Sequence, residues 1–423
     1  MAKFKIKGKQ FGKKGLIPVY GAKNSAIKLL PATLLIDGVI TLHNIPDIDD
    51  IRDMIAILIA LGAKVDKIAQ HSYTIDTTTI DNNKIPIELA IKMRASFLFI
   101  APLLIRFGEV EFPHPGGDAI GRRPIDMTLE SLRLMGAEVI EDNQKYIFRL
   151  PNKSLKGIEY IFKWISHTST ENLIMAAVKA EGKTIIYNAA LEPEITALCD
   201  MLRGAGAQIT GDGTSQIEIE GVQELSSVEY TNIPDRLEAG TFAILAALTR
   251  SNIMVTDINP NHLRVFWKFL DMAGIQYELG DDFVHIIPHH NSYKALQLKT
   301  HEYPGFVTDL QAPFTLLLTQ AIGTSVVQET IFDGRLFYTD TLNQMGANII
   351  MCDPYRVVVN GPTQLYGRKI ESPDVRAGMT FLLAALIAER DSEIHNIYHI
   401  DRGYEKIEER LTNIGFDIIR ENT

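Results

Sequence analysis

The chain of 423 residues is short of cysteine, of long apolar runs and of net positive charge, and each shortage excludes a class of function. Two cysteines, Cys199 and Cys352, are too few for a disulfide framework or a zinc site. Cys199 falls on the apolar face of a predicted helix, which suits a buried structural thiol. No uninterrupted apolar stretch reaches the ~18 residues of a membrane span. The N-terminal run Met1-Ala2-Lys3-Phe4-Lys5-Ile6-Lys7 alternates basic and apolar residues without the apolar core of a signal peptide. It predicts a strand, and a cytoplasmic protein. With 52 acidic and 42 basic residues the formal charge is −10, which argues against a general nucleic-acid binder. An anionic substrate would need a local cluster of Arg and Lys. What is present is ordinary globular composition, 46% hydrophobic and 22% charged, at a length that allows two or three domains.

The strongest internal signal is repetition. A helical segment running into a glycine and then a strand recurs six times. The copies read Leu61-Gly62-Ala63-Lys64-Val65, Met135-Gly136-Ala137-Glu138-Val139, Ala205-Gly206-Ala207-Gln208-Ile209, Ala273-Gly274-Ile275-Gln276-Tyr277, Met345-Gly346-Ala347-Asn348-Ile349 and Ile414-Gly415-Phe416-Asp417-Ile418. Successive glycines are 74, 70, 68, 72 and 69 residues apart. Each closes an amphipathic helix; Ile195, Leu198, Cys199 and Leu202 fall on one face of a 3.6-residue period, and Tyr404, Ile407, Leu411 and Ile414 follow similarly. Glycine there admits the left-handed helix cap.

A second, more apolar helix opens each copy: Ala26 to Ile36, Ser96 to Ile105, Asn172 to Ala180, Phe242 to Leu248, Phe314 to Ala321 and Met379 to Ala388. Helices apolar on most faces are buried. Strand-like runs such as Val39 to Leu42 and Thr184 to Tyr187 follow. The unit is therefore strand, buried helix, strand, amphipathic helix and two strands. Six copies exceed one domain, so an α/β protein of two three-unit domains is expected. A solenoid is the alternative, disfavoured by the lack of distinct capping units.

The loops between units carry an ordered set of motifs. They are Gly21-Ala22-Lys23-Asn24, Met93-Arg94-Ala95-Ser96, Pro115-Gly116-Gly117-Asp118-Ala119-Ile120-Gly121-Arg122-Arg123-Pro124-Ile125-Asp126 and Glu192-Pro193-Glu194-Ile195 in the first half. Pro234-Asp235-Arg236-Leu237-Glu238-Ala239-Gly240-Thr241-Phe242, Thr308-Asp309-Leu310-Gln311, Asp374-Val375-Arg376-Ala377 and Asp401-Arg402-Gly403-Tyr404-Glu405 follow in the second. On these motifs the chain resembles, over essentially its full length, the UDP-N-acetylglucosamine enolpyruvyl transferases (1-carboxyvinyltransferases), relatives of the shikimate-pathway enolpyruvyl transferase.

The resemblance implies a two-domain inside-out α/β barrel of six βαβαββ units, with helices inside and sheets outside. One domain would be residues 1-21 with 233-423, including the first strand, and the other 22-232, with a closing loop near 113-124. It implies transfer of the enolpyruvyl group of phosphoenolpyruvate to the 3'-hydroxyl of UDP-N-acetylglucosamine, releasing phosphate. That is the first committed step of peptidoglycan precursor synthesis; it needs no cofactor, metal or partner protein.

Residue by residue, the resemblance puts Lys23, Asn24, Arg123 and Arg402 on phosphoenolpyruvate, whose paired anionic groups suit guanidinium forks. Arg94, Arg123, Pro124, Ile125, Asp126, Met127, Ser166, His167, Asp309 and Ile331 would meet the sugar nucleotide. Asp309 would be the base, the other reading being a helix N-cap before Gln311. Glu192, Glu194, Asp374 and Arg376 would form hinge or cleft ion pairs, and Arg335 would be a cation on the phosphate side. Gly116 and Gly117 suit either a phosphate loop or a lid.

Two departures stand out. Many members of the family carry Cys where this chain has Asp118, so Asp118 becomes the expected proton donor, needing a raised pKa to hold its proton near neutrality. Fosfomycin acts on the family by alkylating that Cys, so this protein is expected to be insensitive. Ser166-His167-Thr168-Ser169 replaces Ser-Val-Gly-Ala, which bears on the diphosphate contacts and the acceptor. Competing functions are a paralogue with another acceptor and a non-catalytic sugar-nucleotide-binding regulator.

Overall fold

The computed structural model describes residues 2–422 apart from 115, 117–120, 122–123, 143–144 and 290. Residues 1–20 and 234–423 belong to one compact unit and residues 21–117 and 124–233 to the other.

Each unit is built the same way. Its core consists of helices that are apolar nearly all round: every residue of Arg236–Leu248 is buried, and Gln311–Leu318 and Val375–Ile387 pack beside it. In the other unit Lys23–Ala32, Ile100–Phe107 and His167–Ala177 play this part. Sheets cover them, and strands such as Asn252–Thr256 and Lys183–Tyr187 alternate buried with half-exposed or exposed residues, as expected for a sheet with one wet face. One continuous apolar core fills each unit.

Among the described residues there are six sheets, three in each unit. The third copy is complete: Glu159–Ile161, Lys183–Tyr187, Gln208–Thr210 and Gln216–Glu220 form one four-stranded sheet. The second departs from the expected unit, because its sheet of Glu109–Pro113, Lys145–Arg149 and Glu138–Glu141 lacks an opening strand. A helical turn, Ile87–Ala90, stands there instead. The sixth copy is closed by Lys3–Ile6, antiparallel to both Ser392–His395 and Ile418–Glu421. Lys14–Pro18 pairs in parallel with Asn252–Thr256, and Glu229–Thr231 with Val39–His43.

All six repeat glycines have positive φ, 100°, 102°, 107°, 79°, 109° and 91° in chain order. The left-handed cap expected of them is present. The helix boundaries need correction. The opening helices begin earlier than the apolar pattern suggests, at Lys23, Arg94, His167, Arg236, Gln311 and Val375, and Ala321 starts a strand, Ala321–Gln328. Ile36 and Ala180 also lie beyond their helices. Polar first turns do not register as core, yet they are helical; charged side chains are thereby brought to the N-terminal ends of buried helices.

Candidate active site

The unit containing residues 234–423 gathers a chain of buried polar groups around Asp309. Asp309 lies in a short 3-10 turn, Thr308–Leu310, ahead of helix Gln311–Leu318. It does not cap that helix. Its Oδ1 accepts from Arg335 Nη2 at 2.7 Å and its Oδ2 from Arg376 Nη2 at 3.1 Å. The two Arg side chains are 7% and 9% exposed and the Asp309 side chain 19%. Burial alone would push the Asp309 pKa up; the Arg335 and Arg376 guanidiniums, with Arg236 behind them, outweigh it and hold the carboxyl well below the usual carboxylate range.

Every hydroxyl along this chain has a defined direction. Thr241 donates to the Leu237 carbonyl at 2.8 Å, so it is the acceptor in its 3.0 Å contact with the Tyr404 hydroxyl. Tyr404 in turn accepts from Arg376 Nη1 at 3.1 Å. On the other side Arg335 Nη1 donates to Thr308 Oγ1 at 3.0 Å, and Thr308 donates to Glu329 Oε2 at 2.8 Å.

Asp374, grouped above with the ion pairs, is instead an N-cap that accepts from the Arg376 and Ala377 amides at 2.8 and 2.9 Å. It fixes the first turn from which Arg376 reaches Asp309. Arg402 follows helix Tyr398–Asp401 and is half-buried, while its neighbour Asp401 is held by Arg420 at 2.6 and 2.9 Å. Ile331 is half-buried, its amide donating to Glu329 at 2.8 Å.

In the other unit Lys23 and Asn24 open helix Lys23–Ala32, and Lys23 Nζ lies 2.6 Å from Asp50 Oδ2. Arg94 opens the 3-10 segment Arg94–Phe99. Ser166 caps helix His167–Ala177, accepting from the Ser169 amide. His167 is exposed, but its Nδ1 is 3.1 Å from Glu171 Oε1, which also takes Lys28 Nζ at 2.7 Å. The protein packed around one side of the half-exposed ring opposes its charge, yet the Glu171 carboxylate prevails and raises its pKa.

Pro124 and Asp126 are exposed, whereas Ile125 and Met127 are buried in the apolar core, Met127 at 2% exposure. Gly116 passes so close to the Ile91 carbonyl that an added Cβ would sit 1.8 Å from its oxygen, a steric reason for glycine there. Asp118, Arg123 and Gly117 lie outside the described residues.

Sequence reasoning assigned no role to Asp50, Lys28, Glu171, Thr308 and Glu329, although Thr308 stands in one of the quoted motifs. Lys28 carried a legible signal, a lysine inside an otherwise apolar helix, which demands a buried partner. Among the described residues no group of three or more His, Cys, Asp or Glu could hold a metal ion. Nor is any helix among them long and apolar enough to cross a membrane.

The family model for EPSP synthase (3-phosphoshikimate 1-carboxyvinyltransferase) matches residues 11–411, and the chain belongs to that family. Among curated relatives, the UDP-N-acetylglucosamine 1-carboxyvinyltransferase of Campylobacter hominis is 42% identical over 410 residues, 96% of each chain. The enzyme of the same name from Helicobacter acinonychis is 40% identical over 409 residues, again 96% of each. Of solved structures, the enolpyruvyl transferase NikO from Streptomyces tendae superposes with a TM-score of 0.91 at 21% identity, covering 100% of this chain and 99% of its own. EPSP synthase from Acinetobacter baumannii gives 0.76 at 18% identity with full coverage of both. At those identities the likeness is one of fold.

Proposed function

We propose that the protein transfers the enolpyruvyl group of phosphoenolpyruvate to the 3'-hydroxyl of UDP-N-acetylglucosamine and releases phosphate, supplying peptidoglycan precursor synthesis in the cytoplasm. The observation that carries this reading is Asp309 held between two buried guanidiniums, in a chain about 40% identical to enzymes of that name over nearly its whole length. The sugar hydroxyl adds through oxygen to C2 of phosphoenolpyruvate while a proton is delivered to C3. The tetrahedral intermediate then loses phosphate and a C3 proton, restoring the double bond.

Lys23, Asn24, Arg123 and Arg402 bind phosphoenolpyruvate, and Arg335 supplies further positive charge on the phosphate side. Arg94, Arg123, Pro124, Ile125, Asp126, Met127, Ser166, His167, Asp309 and Ile331 contribute to the nucleotide site. Asp118 delivers the proton to C3; removal of water and approach of an anionic substrate raise its pKa. Asp309 receives the hydroxyl proton. With two guanidiniums on it Asp309 is a weak base, and it strengthens as they turn part of their charge to the substrate phosphate.

The test is phosphate release from phosphoenolpyruvate with and without UDP-N-acetylglucosamine. Release that requires the sugar nucleotide is expected. Release supported by shikimate 3-phosphate alone, or none with any uridine sugar that binds, overturns the reading.

A further inference from the structure

Glu329 is a fully buried carboxylate, at 0% exposure, that none of the roles above uses. Among the described residues four groups donate to it, none of them a cation. Oε1 accepts from Thr300 Oγ1 at 3.0 Å and from the Ile331 and Phe332 amides at 2.8 and 3.3 Å. Oε2 accepts from Thr308 Oγ1 at 2.8 Å. A hydroxyl has one proton to give, and Thr308 gives it to Glu329. Its lone pairs then face Arg335 Nη1, 3.0 Å away. Arg335 Nη2 reaches Asp309 at 2.7 Å. One carboxylate thus sets the polarity of one hydroxyl, and that hydroxyl sets the plane of one guanidinium.

We propose that Glu329 is a positioning residue for the reaction, acting through the Thr308 hydroxyl to hold the Arg335 guanidinium in a single orientation against Asp309. The catalytic half of this statement rests on the proposed enolpyruvyl transfer; the orientation of Arg335 does not. The Glu329→Gln variant discriminates sharply. The Ile331 and Phe332 amides demand an acceptor, so the oxygen of the new side-chain amide must face them and its NH2 must face Thr308. That NH2 donates into the lone pairs Arg335 now uses, while the Thr308 proton loses its acceptor. The relay is reversed with almost no change of shape. A role confined to holding the 329–332 turn would not involve Thr308 at all.

The experiment compares wild type, Glu329→Gln, Thr308→Val, Thr308→Ser and the Glu329→Gln/Thr308→Val double variant. Two readouts are used: steady-state phosphate release, and 15N NMR of the Arg335 Nη groups, assigned with Arg335→Lys. In wild type, restricted rotation resolves the Nη signals. In Glu329→Gln and Thr308→Val they coalesce. Each of these two variants loses roughly 10- to 100-fold in kcat, the range for removing a hydrogen bond to a charged group, with thermal melting still cooperative. Thr308→Ser, which keeps the hydroxyl, stays within about threefold of wild type, and the double variant is no worse than the poorer single one. Losses that multiply in the double variant, or Nη signals unchanged in Thr308→Val, overturn the proposal. If Glu329→Gln does not fold, Thr308→Val and Thr308→Ser decide the matter. A wild type with resolved Nη signals but no phosphate release overturns the proposed function, and the NMR comparison still judges the positioning of Arg335.

Discussion

Replacing Asp309 with Asn keeps the shape of the side chain and removes the charge that two buried cations share. The Arg335 and Arg376 side chains are only 7% and 9% exposed, so water replaces little of what they lose. An amide also offers one acceptor oxygen where the carboxylate offered two, and its NH2 then faces a guanidinium that can only donate. Breaking a buried ion pair by removing one partner costs about 3–5 kcal/mol. Asp309 itself is 19% exposed, which places the expected cost near the lower end, ~3 kcal/mol. For a unit of about 200 residues that corresponds to a fall of roughly 6–12 °C in melting temperature.

The pH dependence of that cost has a definite sign. The folded-state pKa of Asp309 is depressed by its arginines, so its stabilisation is present in full above the unfolded-state carboxyl pKa of ~3.9. It is lost as the pH falls through the folded-state value. The wild-type minus Asp309→Asn difference should therefore be level between about pH 6 and 8 and shrink on acidification below about pH 4. Calorimetry or circular dichroism at several pH values measures it. A variant melting within about 2 °C of wild type at pH 7, or a gap that widens on acidification, would refute the account.

Three further outcomes are expected. Asp118→Ala should abolish phosphate release, and Asp118→Cys should create sensitivity to fosfomycin in a protein that otherwise resists it; full inhibition of wild type by stoichiometric fosfomycin contradicts the assignment of Asp118. Lys23→Met should raise KM for phosphoenolpyruvate by at least about tenfold, since a desolvated charged contact is lost, and an unchanged KM removes Lys23 from that site. Titration of the native protein with an aromatic disulfide should modify one thiol per chain, Cys352, because Cys199 is buried and burial pushes its thiol pKa far up; two rapid equivalents would contradict the packing.

The fold was more legible in the sequence than the site. Backbone demands leave unmistakable marks: the six glycines at near-constant spacing all sit at positive φ, and Ile195, Leu198, Cys199 and Leu202 are all fully buried on one helix face. What failed was local. Ala321 joined a helix on hydrophobicity alone although it begins a strand, because apolar runs carry no period when both structures are buried. Asp374 looked like an ion-pair partner when its position before Val375-Arg376-Ala377 made it an N-cap. Arg335 was visible as a phosphate-side cation and Arg376 as an ion-pair residue without its partner, and their joint hold on Asp309 is a tertiary fact spanning residues 309, 335 and 376. Glu329 gave no signal, since nothing in a one-dimensional pattern distinguishes a buried glutamate from a surface one.

The strand Lys3–Ile6 lies between Ser392–His395 and Ile418–Glu421, with Lys3 bonded to a glutamate 390 positions further along the chain. Translation makes the middle of that sheet first and its flanks last. Phe4 and Ile6 are buried in a core otherwise drawn almost wholly from residues beyond 236, so they stay uncovered until that part of the chain is made. The unit spanning 21–117 and 124–233 has no such wait, since its sheets draw on one continuous stretch of chain. Synthesis therefore separates the partners in time: Lys3–Ile6 leaves the ribosome long before the two strands that flank it.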